Sequence, residues 1–280
     1  MRLRTLPVSM AGVLAGCGCA LWQDGFSIVP ALLCLLFALS AQIASNFGNE
    51  YYDYKNGMDR KGREGFRRGV TEGDITPQAM KRATFAMLGI AAVIGCSLLL
   101  YGGLWLIPVG CAILLFALAY SAGPYPLSHH GLGDVTVVVF FGIVPVTFTC
   151  YLQTGEWEEL PVLFTTSVAI GLNVLVVNNY RDMEDDEAVG KRTTVVLFGR
   201  KVMGYVYLLS GIAAMAIMTA LWIQLPLWAL IVPIIYLSLH ITTWRKLIHS
   251  RGAALNPLLG RTAINLLVFT VLLLMVLAVV

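Results

Sequence analysis

Charge is scarce in this sequence. Only 12% of its 280 residues are Asp, Glu, Lys or Arg, while 58% are hydrophobic; soluble domains carry about 25% charged residues. Mean hydropathy is +0.78. A soluble globular fold is excluded, and a polytopic membrane protein is what remains. Polar stretches are scarce too. The longest, 54–77, is too short for a separate domain, so positions 1–280 read as one integral-membrane domain. The six cysteines (17, 19, 34, 96, 111, 150) all fall inside apolar runs. Cys17 and Cys19 point to different helix faces, so neither a disulfide framework nor a zinc site is expected.

Basic residues are missing from one half of the loops. Windows of about 20 apolar residues mark membrane-spanning helices, and nine are expected: 6–22, 28–48, 78–101, 104–121, 133–152, 160–180, 202–222, 225–244 and 262–280. All 19 Lys and Arg then fall on one side of the membrane; the other side carries Asp24, Glu156, Glu158 and Glu159 and no base. The positive-inside rule makes the basic side cytoplasmic. The net charge of +3 reflects topology and gives no sign of nucleic-acid binding; no obligate protein partner is expected. The opening "MRLRTLPVSMAGVLAGC" has the look of a cleavable lipoprotein signal, but eight further apolar runs follow it, so a retained first span is the expectation.

What the chain does have is acid in two special places. In "NNYRDMEDDEAVGKRT" (178–193), five acids occupy six positions beside an apolar run. One intramembrane acid costs roughly 2.5 to 3.5 kcal/mol at a helix centre. The second span ends "NEYYD" (49–53) and the sixth ends "NNYRD" (178–182), so Asn precedes Asp by four in each. Four spans separate the motifs, which places both on the cytoplasmic side. The expected architecture is all-α: a bundle of about nine transmembrane helices in pseudo-repeated halves around a central cavity, with the acidic ends face to face. At the start of the third span, Thr76 is expected to cap and Pro77 to open the helix.

Residues i and i+4 share a helix face, so Asn178, Asp182 and Asp186 form one stripe and Asn49 with Asp53 another. Carboxylates about 6 Å apart repel by roughly 3 kcal/mol at an effective dielectric of 20; a bound cation is therefore expected. Oxygen donors without His or Cys suit a hard ion, and magnesium characteristically takes one or two carboxylates plus substrate phosphates. Nearby bases, Arg63, Arg67 and Arg68 in one loop and Lys191 and Arg192 in the other, fit a diphosphate. At a lipid–water boundary this suggests a lipid diphosphate, whose allylic cation aromatic walls such as Tyr51, Tyr52, Tyr120, Phe140, Phe141 and Tyr180 would shelter. An ion-coupled carrier is the alternative from another class, but its acids usually sit near mid-membrane.

The two motifs, together with "RTLP" (4–7), "NEYYDYKNGMD" (49–59), "YSAGPYPLSHHGLGD" (120–134) and "DMEDDEAVGKRT" (182–193), resemble the UbiA superfamily of intramembrane aromatic prenyltransferases, in particular its branch acting on 1,4-dihydroxy-2-naphthoate in menaquinone synthesis. The resemblance implies that Asn49, Asp53, Asp59, Asp182 and Asp186 bind Mg2+, with Asp53, Asp182 and Asp186 also catalytic. Lys55, Arg67, Arg68, Lys191 and Arg192 would hold the diphosphate of a polyprenyl diphosphate, and Tyr120, Asp134 and Asn178 are candidates for the aromatic substrate. The ring carbon would attack the allylic cation with loss of carbon dioxide and a proton, giving demethylmenaquinone and diphosphate. The expected location is the inner (cytoplasmic) membrane with the site toward the cytoplasm. Another acceptor, 4-hydroxybenzoate or haem, stays open. Glu50 stands where many superfamily members have Asp, and Gly57 where many have a third acid; Asp59 follows two positions later.

Overall fold

The computed structural model describes residues 5–62, 65–157 and 172–280. These are helical, with no strand among them. The main helices are α1 (Leu6–Trp22), α2 (Ile28–Lys55), α3 (Pro77–Gly102), α4 (Leu104–Ala119), α5 (Gly133–Thr154), α6 (Leu172–Ala188), α7 (Thr194–Trp222), α8 (Leu227–His249) and α9 (Gly252–Leu277). Six of them, α2, α3, α5, α7, α8 and α9, are long and apolar enough to cross a membrane; α1 and α4 are shorter apolar helices. The start of the expected sixth span, with Glu158 and Glu159, lies outside the described residues, as do Arg4 and Arg63.

Helix boundaries differ from the apolar windows in a consistent way. The seventh helix begins at Thr194 rather than 202 and the ninth at Gly252 rather than 262. Apolar counting stops at the first charged residues, whereas main-chain hydrogen bonding continues through the interfacial turns. The same effect matters most in α2. Its 28 residues span about 42 Å at 1.5 Å each, against a hydrocarbon core of about 30 Å. Its last turns therefore project beyond the apolar layer, and these turns carry Asn49, Glu50 and Asp53. Thr76 Oγ1 accepts from Ala79 N at 3.2 Å and Pro77 opens α3, as expected.

Close packing around α1 depends on small residues. A Cβ on Gly12 would lie 2.8 Å from Phe141 O, and one on Gly16 would lie 2.7 Å from Val146 O. This spacing of four lets α1 press against the backbone of α5, the small-xxx-small mode of membrane helices. At that contact α5 is locally a π-helix over Val138–Ile143. Pro145 follows, with no N–H to offer residue 141, so the ladder widens by a residue and swings Phe141 inward. Behind the site, α7, α8 and α9 pack around a buried polar knot: His240 stacks on Tyr207 with ring centroids 4.7 Å apart, receives or donates a hydrogen bond at Tyr236 Oη, and binds Tyr207 O at 2.9 Å. Gly211 leaves room for that imidazole. Apolar side chains such as Leu100 and Leu227 cover the outside of the bundle, as a lipid-facing surface requires.

Candidate functional site

At one end of the bundle the ends of α2 and α6 and the loops between helices enclose a cleft of about 140 Å³. The projecting end of α2 supplies Asn49 and Asp53, and the end of α6 supplies Asn178, Asn179, Asp182 and Asp186. Both amphipathic ends are turned inward by the i, i+4 spacing that the sequence shows. The two acidic motifs thus share one chamber. Arg68, Tyr120, Asp134, Lys191 and Thr194 complete much of its wall.

The acids are not left facing each other. Asp53 is 1% exposed and is ringed by nitrogens: Lys191 Nζ at 3.1 Å, His129 Nε2 at 3.2 Å and Arg68 Nη2 at 3.6 Å. Asp182 receives both Nε and Nη2 of Arg181, at 2.6 and 2.7 Å. Arg181 also donates to Asn178 Oδ1 and Asn256 Oδ1 and lies over the Phe66 ring. The sequence led to the expectation of a bound cation here; the chain's own bases also pair with these acids. Buried carboxylates need partners, and here the chain provides them.

Arg68 is itself placed by the first motif. Its Nη1 donates to Asn49 Oδ1 at 3.1 Å, and its Nε is 3.4 Å from Asp59 Oδ2. Glu50 accepts from Val70 N at 3.1 Å. That bond anchors the one-turn helix Gly69–Glu72 that follows Arg68. Asn49 Nδ2 in turn donates to Ser121 Oγ at 2.9 Å, tying α2 to the α4–α5 loop. The same loop meets the second motif where Arg192 N donates to His129 O at 2.9 Å.

Not every expected residue reaches the cleft. Asp59 is off its wall, with its carboxylate enclosed against Arg68. Lys55 ends α2 as an exposed side chain. Arg67 faces solvent and pairs with Asp74, which holds the Asp74 carboxyl below its ordinary range. Arg192 is exposed and contributes its main chain only. Of the suggested aromatic wall, Tyr120, Phe140 and Phe141 line a cavity, whereas Tyr51, Tyr52 and Tyr180 do not; Tyr180 is buried between Arg200 and Arg251. Arg181 was missed although it lies inside the quoted "NNYRD": its position three after Asn178 and one before Asp182 was the available signal. Ser121 and His129 lie in the quoted "YSAGPYPLSHHGLGD" without being singled out, and Asn256 carried no signal at all.

Beside the cleft lies an apolar cavity of about 250 Å³, lined by residues including Leu99, Leu106, Phe116, Phe140 and Phe148. Gln42, Ser45, Tyr120 and Phe141 belong to both walls, so polar and apolar spaces join at a waist. Gln42 is fixed there by α1: its Nε2 donates to Thr5 O at 2.8 Å and its Oε1 accepts from Ser9. The donor set of the cleft, carboxylate and amide oxygens from two helices, suits a hard divalent ion. Among the described residues no three His, Cys, Asp or Glu side chains are grouped as a ready-made cage.

Comparison with known proteins gives a consistent picture. Residues 9–264 match the model of the UbiA prenyltransferase family. A 1,4-dihydroxy-2-naphthoate octaprenyltransferase of Escherichia coli is 38% identical over 216 residues, covering 71% of this chain and 67% of the relative. The protein of that name in Haemophilus influenzae is 34% identical over 232 residues, covering 76% and 73%. Among solved structures, the apo form of a UbiA homologue from Aeropyrum pernix aligns with a TM-score of 0.75 at 16% identity, over 97% of this chain and 98% of that one. A homologue from Archaeoglobus fulgidus bound to DMAPP and Mg2+ aligns with a TM-score of 0.67 at 15% identity, over 99% of each.

Proposed function

The chain belongs to the UbiA prenyltransferase family, and from that premise we propose that it transfers a polyprenyl group from a polyprenyl diphosphate to 1,4-dihydroxy-2-naphthoate, with loss of carbon dioxide and diphosphate, in menaquinone biosynthesis. One observation carries the reading: a cleft with acids from two helix ends, and with Arg68 and Lys191 among them, opens directly onto a larger apolar cavity. A diphosphate headgroup and a long hydrocarbon tail need that juxtaposition. Relatives named for the naphthoate reaction, 34% to 38% identical, supply the acceptor.

In this reading Asn49, Asp53, Asp182 and Asp186 hold Mg2+. When bound, the ion neutralises diphosphate charge so that the allylic carbon–oxygen bond opens more readily. Arg68 and Lys191, now seated on Asp53, turn to the phosphate oxygens as charge-assisted donors. Arg181 keeps Asp182 and Asn178 oriented toward the cleft. Phe140 and Phe141 offer π faces to the allylic carbon, and the apolar cavity keeps water from it. Asp59 sets Arg68 from behind. Lys55, Arg67 and Arg192 are too exposed to hold a buried phosphate and serve as surface charge on the cytoplasmic face.

We read the whole chain, 1–280, as one membrane domain with nine spans in two related halves. It sits in the inner membrane with the cleft toward the cytoplasm. The support is that all 19 bases fall on one side of that topology. The acids lie at helix ends rather than at mid-span, which disfavours an ion-coupled carrier. The test is product analysis: membranes containing the protein, Mg2+ and a polyprenyl diphosphate are offered dihydroxynaphthoate and 4-hydroxybenzoate. Prenylated naphthoate is expected. Consumption of 4-hydroxybenzoate alone would refute the acceptor, and consumption of neither would refute the reaction.

A further inference from the structure

The end of α6 has a back as well as a front. Asn178, Asp182 and Asp186 line the cleft. Tyr180 and Glu184, also four apart, stand about 180° around the helix from that stripe. Neither lines the cleft, and the proposed chemistry uses neither. Yet Tyr180 is only 2% exposed, and its ring meets two guanidinium groups: Arg200 Cζ lies 5.4 Å from the ring centroid and Arg251 Cζ 5.5 Å.

Each guanidinium is tied down on both sides. Arg200, from α7, donates Nε to Tyr180 O at 3.0 Å and both terminal nitrogens to the Glu184 carboxylate. One planar fork thus rivets two successive turns of α6. Arg251 lies in the link between α8 and α9. Its Nη1 donates to Ser250 O at 2.7 Å and Ile248 O at 3.2 Å, which holds it on its own turn, and reaches Tyr180 Oη at 3.4 Å. A few residues on, Asn256 Oδ1 accepts from Arg181 Nη1 at 2.9 Å. The α8–α9 link therefore grips two consecutive residues of the second acidic motif.

The backbone of α7 is bent to the same end. Gly199 interrupts the helix with φ 77° and ψ 159°, a region that residues with a Cβ rarely enter. Nothing lies within 4 Å of a Cβ built there, so the conformation and not crowding calls for glycine. The helix restarts at Arg200, which puts a cation in a first turn, where the dipole disfavours it. A special backbone and an unfavourably placed charge meet at the one residue that bonds two turns of α6. Ordinary packing needs neither.

We propose that Arg200 and Arg251 are positioning residues that clamp Tyr180, fixing the rotation and depth of the last turns of α6 and hence the distance of Asp182 and Asp186 from Asn49 and Asp53. The clamp touches neither ion nor substrate; it sets how tightly the divalent ion is held. It rests on the Mg2+ role given to these acids in the proposed function.

Two readouts on the full chain in nanodiscs test it. In Mg2+ titrations of turnover, Tyr180→Leu and Arg251→Met raise the half-activating Mg2+ concentration about three- to tenfold, as loss of one or two cation–π contacts implies. The KM for the aromatic acceptor stays at the wild-type value. Tyr180→Phe, which keeps the π faces, keeps the wild-type Mg2+ curve. Gly199→Ala, which redirects Arg200, reproduces the Leu variant, and Arg200→Lys, which cannot span two turns, does not restore the wild-type curve. In hydrogen exchange without Mg2+, the amides of 180–188 exchange faster in Tyr180→Leu while those of α8 do not. Should Tyr180→Leu fail to fold, Arg251→Met, on an exposed side chain, carries both readouts. A lower thermal midpoint with an unchanged Mg2+ curve overturns the clamp and leaves only packing; so does exchange that quickens evenly through the bundle. Wild-type turnover without Mg2+ refutes the proposed ion instead, and the exchange at 180–188 alone then decides whether the clamp holds α6.

Discussion

Removing the charge of Asp53 should separate the site's structural electrostatics from its chemistry. In Asp53→Asn the two permanent cations around it, Lys191 at 3.1 Å and Arg68 at 3.6 Å, lose their shared partner. At an effective dielectric of 20, each attraction is about 5 kcal/mol before desolvation is counted. Experience with buried pairs puts the net cost of deleting one member at about 3 to 5 kcal/mol. Arg68 retains Asp59 and Asn49, so the lower end of that range applies. The loss should appear as a lower thermal midpoint in detergent or nanodiscs. Adding Lys191→Met removes the orphaned ammonium, and because the two residues touch, their effects do not add: the double variant should be more stable than Asp53→Asn alone. Prenyl transfer behaves oppositely. If Asp53 holds the ion and Lys191 the phosphate, the double variant is at least as inactive as either single one, and excess Mg2+ does not restore it. Strictly additive stability losses would refute the ion pair. Wild-type turnover by Asp53→Asn at saturating Mg2+ would refute the metal role while leaving the ion pair intact.

Four further outcomes are expected. EDTA should abolish turnover and excess Mg2+ restore it; activity that survives chelation contradicts the proposed ion. Arg181→Met should strand the buried Asp182, costing about 3 to 5 kcal/mol of stability together with activity, whereas the exposed Arg67→Ala should leave turnover within about threefold of wild type, since surface pairs contribute about 0 to 1 kcal/mol. Gly16→Val should push α1 off α5, because a Cβ there already meets Val146 O at 2.7 Å; poor yield of folded protein, read by gel filtration, is the expected result. The Glu184 carboxyl is held below its usual value by hydrogen bonds from Arg200, so its contribution is present above the unfolded value and disappears as pH falls through the lowered one. Glu184→Gln should therefore differ from wild type by under about 1 kcal/mol at neutral pH, and not at all in acid.

The sequence made some of this legible for identifiable reasons. Apolar windows located α1 to α5 closely because lipid imposes a length and a composition that few other constraints mimic. The i, i+4 spacing of Asn and Asp put Asn49, Asp53, Asn178, Asp182 and Asp186 on inward faces because helical geometry leaves no freedom there. The long loop of 54–77 was opaque in detail. Arg63, Arg67 and Arg68 looked equivalent as neighbours in a basic run, yet only the chain's return path, pinned by Glu50 to Val70, decides that Arg68 goes inward and Arg67 outward.

The interlocked charges also explain how a buried acidic site can accept a polyanion. Asp53, Asp134, Asp182 and Asp186 would repel a free diphosphate, but Arg68 and Lys191 line the same cleft and Arg181 pairs with Asp182, so most of the acidic charge is offset. A diphosphate arriving with a divalent ion brings both signs at once. On the proposed reading each buried group would then exchange a protein partner for a ligand partner: carboxylates would pass from lysine and arginine to metal, and the bases from carboxylate to phosphate. Such an exchange avoids leaving any ion unpaired in a low-dielectric space, the step that would otherwise cost several kcal/mol per charge. A lining made of acids alone would bind metal tightly but resist the phosphate, and one made of bases alone would do the reverse. Interleaving both around Asp53 lets the cleft hold its shape empty and still yield to the substrate.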